Sequence, residues 1–155
     1  MDRESPGASS LGRLQDVIQR FEWNTWGREV REGWTAAALL LQLAFWDHLT
    51  AARWRDALAR GQLTPVPFDD ELTDILNDAL LGLLAAVPDD RAGGVALAAA
   101  REVEGLIAEL PSSALEAVRG EGRPRLVDRS LHRNEHLDEI ERALSQRHGV
   151  GSAGS

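Results

Sequence analysis

Apolar positions recur every three or four residues along most of this chain, in Ala- and Leu-rich segments broken by short stretches carrying Gly or Pro. No period-two alternation is long enough to make a sheet, so the pattern predicts an all-α protein. Leu11, Leu14, Val17, Ile18 and Phe21 follow helical spacing, with Ser9 or Ser10 as the cap, and Trp23, Trp26 and Gly27 blur the end of this first helix. Thr35 caps a second, TAAALLLQLAFWDHLTAARWRDALAR, which Gly61 closes. At about 25 residues it would span roughly 37 Å, the length of a bundle. After the two prolines of QLTPVP, Asp69 or Asp70 opens a third helix that runs to Pro88. Asp89 or Asp90 opens a fourth, weakened in its first turns by Gly93 and Gly94 and stopped by Pro111. A short turn over SSALEAV and a last helix from about Pro124 to Arg147 complete the pattern. The expected architecture is an antiparallel four-helix bundle with an extra short helix. One domain is expected, with a flexible N-terminus over 1–8, the helical bundle over 9–147 and a disordered tail over 148–155.

Composition narrows the chemistry. With no cysteine, disulfides and thiolate metal sites are excluded, and any thiol must arrive with a substrate. All 17 basic residues are Arg, and there is no Tyr, so a Schiff-base lysine and a phenolic acid or base are absent. A formal charge of -8 argues against nucleic acid as a partner, whose affinity for proteins comes largely from basic residues. No run approaches a membrane span and the N-terminus MDRESPGASS is polar, so no membrane partner is expected and the protein reads as soluble and cytoplasmic.

His132 and His136 stand at i and i+4, on one helix face and within reach of a single metal ion. Their row continues through Ile140 and Leu144, at the core edge of an amphipathic helix, where two hydrogen-bonded structural histidines are the plainer explanation. Spelled H-x-x-E-H with Glu135, the stretch also fits a zinc peptidase, although such enzymes need a third protein ligand and a peptide cleft, and a sheetless chain has no edge strand to align a peptide. Gln42 lies among Ala38, Leu39, Phe45, Trp46 and Leu49, so its amide must find a partner inside the protein or face a cavity. His48, about 120° around the helix from Gln42, belongs to the surface or an interface, and His148 to solvent. Trp34, Trp46 and Trp54 read as core or interface, and Asp70, Asp74, Asp78, Glu102 and Glu104 as a solvated face, with Asp47 and Asp74 kept as weak candidates. Arg129 and Arg133 flank the histidine row and are placed to hold an anionic substrate.

The segment GWTAAALLLQLAFWDHLTA resembles the second helix of the DinB-like superfamily, with Gly33, Trp34 and Thr35 at its start, Gln42 at the histidine position, then Phe45, Trp46 and Asp47. DDELTDILNDALLGLL with Asn77, VEGLIAELPSSAL with Leu110 and Pro111, and HRNEHLDEI follow in the family's order, over about residues 11 to 145. The resemblance implies a four-helix bundle and a divalent metal, zinc or nickel, held by one histidine of helix two and two of the last helix. Relatives include thiol-dependent isomerases and transferases, and resistance proteins that act on reactive natural products without a metal. His132 and His136 match, whereas Gln42 replaces the first ligand and would hold zinc weakly. Two outcomes follow. In one, a weakly held metal activates water or a low-molecular-weight thiol co-substrate. In the other, a metal-free pocket of Gln42, Trp46, His132 and His136 binds a small molecule, with a histidine as general base and Gln42 as hydrogen-bond donor, and with Trp46, Asp47, Arg129 and Arg133 contacting substrate. The expected function is a small-molecule hydrolase, isomerase or thiol transferase; the alternatives are a self-resistance protein that sequesters a reactive molecule and a helical partner-binding module. Trp54 and the apolar surface of a small bundle make a homodimer the expected assembly.

Overall fold

One long helix organises the protein. In the computed structural model, which describes residues 5–146, the chain forms α1 (Pro6–Gln19), a ribbon of β1 (Glu29–Arg31) and β2 (Trp34–Thr35), and then α2 (Ala36–Ala59), α3 (Asp70–Leu84), α4 (Ala92–Ala108), α5 (Ser112–Glu121) and α6 (Ser130–Ser145). Single 3-10 turns at Asp89–Arg91 and Pro124–Leu126 lead into α4 and towards α6. The fold is mostly helical, and no helix among the described residues is long and apolar enough to cross a membrane.

Thr35 begins α2 as its sequence predicts, its Oγ1 accepting the Ala38 N–H at 3.1 Å. The helix is buried around most of its first half, Ala36 to Ala44, because it is enclosed by neighbours: α4 along its length, with α3 and α6 beside it. Small residues on α4, Ala92, Ala96, Ala99 and Ala100, let the two helices come close. α1 lies across α4 and α6, and Leu14, Val17, Leu39, Leu40, Leu43, Leu137 and Ile140 fill the shared core. α3, capped by Asp69 through the Glu71 N–H at 3.0 Å, rests on α2 without burying any residue fully.

Several expectations need correction. The first helix starts at Pro6, capped by Ser5, not Ser9 or Ser10; proline at the first helical position costs no hydrogen bond, and Ser5 Oγ accepts the Ala8 N–H at 3.2 Å. Residues 6–8, expected to be flexible, therefore belong to α1. The antiparallel ribbon was not expected, since strands of three and two residues are too short to show a period. It closes at Gly33, whose φ of 77° favours a residue without Cβ. α5 extends to Glu121, beyond SSALEAV, and α6 begins at Ser130 rather than near Pro124, with Asp128 Oδ1 accepting the Ser130 N–H at 3.0 Å. Trp54 offers no dimer surface: it is 0% exposed among Leu110, Ala114, Val118 and Leu126, and its indole N–H donates to the Leu126 carbonyl at 2.8 Å. The expected tail 148–155, with His148, lies outside the described residues.

Candidate functional site

α6 carries the histidine pair, and its helical repeat sets both rings on the face turned towards α2 and α3. The two Nε2 atoms approach to 3.1 Å, with the rings edge to face, 4.8 Å between centroids. Beyond them, His136 Nδ1 lies 2.9 Å from Glu139 Oε1, and His132 Nδ1 lies 3.3 Å from Arg129 Nη2. Each end of this chain has only one possible polarity. A carboxylate accepts, so His136 carries its proton on Nδ1 and leaves Nε2 as a lone pair; a guanidinium donates, so His132 accepts at Nδ1 and carries its proton on Nε2. One proton therefore sits between the two Nε2 atoms, donated by His132 to His136. Burial, the neighbouring His136 ring and the guanidiniums of Arg129, Arg125 and Arg133 push His132 from its ordinary value down to about 2. Burial also lowers His136, with Glu139 opposing it, so both rings are neutral near pH 7.

Behind the histidines runs a buried ion network. Asp47, 3% exposed on α2, accepts from Arg129 Nε at 2.8 Å and from Arg133 Nη2 at 3.3 Å. Arg133, 1% exposed, also donates to Ser10 Oγ at 2.7 Å and Glu104 Oε1 at 3.0 Å, tying α6 to α1 and α4. Asp47 and Arg133 were expected to contact substrate; instead they neutralise each other in the interior and do not line the cavity. Glu104 likewise leaves the solvated face to which it was assigned, because Arg133 needs a second counter-charge. Asp74 is exposed and does not line this cavity either, and His48 pairs with Glu102 at 3.1 Å on the surface.

Gln42 is buried, 2% exposed, and its Nε2 donates to Asn77 Oδ1 at 3.0 Å. The Trp46 indole N–H donates to the same oxygen at 3.0 Å. Indole can only donate, so Asn77 must present its oxygen, and Gln42 must turn its nitrogen to it. What remains is Gln42 Oε1, buried and without a partner. The expected role of Gln42 as a donor is thus reversed: its free group is an acceptor.

Gln42, Trp46, Asn77, His132 and His136 meet at a cavity of about 460 Å³. Its rim carries Arg31, Arg53, Arg125 and Arg129 against two carboxylates, Asp70 and Glu135, so the concavity is locally cationic in a protein of net charge -8. Glu135, central to the peptidase spelling, is exposed and 3.4 Å from Arg125. Arg53 was missed, yet a signal existed: it follows Gln42 by eleven residues and Trp46 by seven, one stripe of a helix. Arg31, Phe68 and Thr73 come from the ribbon, the linker and α3, and nothing in their local sequence announces the cavity.

The metal implied by the resemblance can be tested against these donors. His136 is suitably prepared, its Nδ1–H held by a carboxylate and its Nε2 presenting a lone pair. His132 is not, because a second lone pair at Nε2 would require its proton to move to Nδ1, facing the Arg129 N–H. Among the described residues no group of three His, Cys, Asp or Glu gathers to hold an ion. As arranged, the pair does not fit a shared metal. No family model, curated protein or solved structure matches the chain.

Proposed function

We propose that this chain is a metal-independent small-molecule enzyme of the DinB-like type, which binds a small organic anion between α2 and α6 and moves a proton with His132 and His136. The observation that carries this reading is the coincidence, in one cationic cavity, of an oriented neutral histidine pair with a buried, unpartnered acceptor. The arginines attract and hold the anion. Gln42 Oε1 accepts from a substrate N–H or O–H, fixing its orientation. His136 Nε2 takes a proton from one atom of the bound molecule and returns it to the neighbouring atom, while His132 turns its Nε2–H from His136 to hydrogen-bond the negative charge that develops on the molecule, and Glu139 stabilises the transient cation on His136. Removing a proton at one atom and returning one at its neighbour suits isomerisation, and the same pair can activate water or a thiol delivered as co-substrate. The fold implied is a four-helix bundle of α1, α4, α2 and α6, each packed on the next, with α3 and α5 outside it.

Turnover is tested on a panel of enolisable oxo acids, carboxylate esters and thiol-accepting electrophiles followed by NMR. His132→Ala and His136→Ala are expected to abolish it with the helical circular dichroism signal unchanged; normal turnover in both would remove the pair from the mechanism. Metal content of protein purified without an affinity tag is measured beside Gln42→His. Stoichiometric metal in the wild type defeats the metal-free mechanism, and metal in the variant alone supports it.

A second reading has one observation in its favour. A histidine pushed down to about 2 is a weak base, which suits hydrogen bonding better than proton abstraction. In a sequestering or self-resistance protein the same cavity would hold a reactive anion without converting it, and the panel would show binding lost in the histidine variants but no turnover in the wild type.

A further inference from the structure

On the far side of Trp46 and Phe68 a second cavity, of about 330 Å³, adjoins the first. The two share Arg53, Arg125 and Arg129, and the second adds Arg123. Four guanidinium groups line it and no carboxylate does. Three of these arginines answer to acids elsewhere: Arg129 to Asp47 at 2.8 Å, Arg123 to Glu121 at 2.9 Å and Arg125 to Glu135 at 3.4 Å. Arg53 has no carboxylate partner among the described residues. Its Nη2 donates to the Val66 carbonyl at 2.6 Å and its guanidinium lies over the Phe68 ring, 5.4 Å from the centroid.

 Arg123 donates to the same Val66 carbonyl at 3.4 Å, so two guanidiniums converge on one oxygen. Such a convergence of like charge in an acidic protein calls for an anion. Burial and the charges of Arg123 and Arg129 lower Arg53, the direction expected of a cation that lacks a counter-charge.

We propose that this arginine-lined cavity is an oxyanion subsite, which takes the carboxylate or phosphate of a planar organic molecule with Arg53 as its principal counter-charge. The body of the ligand lies along Trp46 and Phe68, whose rings stand edge to face at 5.8 Å between the two cavities. Its reacting end then reaches the histidine pair. This deepens the function proposed above and rests on it only for that last step.

Inorganic phosphate and malonate are titrated separately into the full chain by calorimetry. Saturable binding of either at one site per chain is expected, phosphate alone marking a phosphoryl ligand and malonate alone a carboxylate. Arg53→Met should weaken that binding by roughly tenfold or more, as the loss of a charge-assisted hydrogen bond does. Arg55→Met, which removes an exposed arginine paired with Glu102, should leave it unchanged. Should Arg53→Met fail to fold, phenylglyoxal modification of the wild type, read by peptide mass, replaces it: saturating anion should slow modification at Arg53. The subsite is overturned if neither anion binds, if Arg53→Met binds as the wild type does, or if Arg53 reacts equally fast with anion present. Anion binding that depends on Arg53, together with normal turnover in the histidine variants, would keep the subsite and remove the histidine mechanism; lost turnover with anion binding indifferent to Arg53 would do the reverse.

Discussion

Replacing Asp47 by Ala tests whether the ion network behind the site is the keystone its burial implies. Asp47 is the shared acceptor of Arg129 and Arg133, which are 6% and 1% exposed. Without it, Arg133 keeps Glu104 and Ser10, while Arg129 keeps only the Arg125 carbonyl and the His132 ring. Breaking a buried pair by removing one partner costs about 3–5 kcal/mol, because a charge is left without compensation. For a chain of this size each kcal/mol moves the melting temperature by about 3 °C, so a fall of about 10 °C is expected. Urea unfolding followed by circular dichroism measures the change, and Asp47→Asn, which keeps one acceptor oxygen, should fall between the wild type and Asp47→Ala. The double variant Asp47→Ala with Arg129→Met should recover part of the loss, since the stranded cation is gone. A loss in Asp47→Ala below about 1 kcal/mol, the range of an exposed pair, would refute the reasoning by showing that the freed guanidiniums reach water.

Stability should also depend on pH through the histidines. Both are lowered in the folded protein, so below the ordinary histidine value the unfolded chain binds more protons and folding loses stability as pH falls. From His132 alone the slope between about pH 6.5 and pH 4 should approach 1.4 kcal/mol per pH unit, with full stability above that window, and His132→Gln should flatten it in urea titrations at several pH values. Two adjacent glycines should respond oppositely to Ala. A Cβ at Gly93 would lie 2.8 Å from Trp26 and 2.9 Å from Ile18, and should cost about 1–3 kcal/mol by thermal unfolding, whereas Gly94 opens on free space and should gain up to about 1 kcal/mol from helix propensity.

Within a helix, sequence spacing sets angular position, and that is why so much was legible. The shared face of His132 and His136 and the burial of Gln42 among apolar neighbours follow from a rotation of about 100° per residue, and the caps, Thr35 and one of Asp69 and Asp70, from side-chain oxygens placed just before an apolar run. The ribbon at residues 29–35 was too short to leave a period, and Ser5 was overlooked because the apolar pattern begins later than the helix.

What only the tertiary structure decided is which groups meet across elements. Asp47 and Arg133 looked like substrate contacts because each sits beside a candidate on its own helix; the packing of α2 on α6 turns them to each other and away from the cavity. Gln42 leaves its oxygen without a partner because Trp46 fixes Asn77 Oδ1 as the acceptor that the Gln42 nitrogen meets, and His132 carries its proton on Nε2 because Arg129 stands at Nδ1. By itself the sequence determined the helices, their faces and the residue types available for chemistry. Hydrogen-bond direction and charge pairing depend on atoms brought together from distant segments, so only the folded chain could assign them.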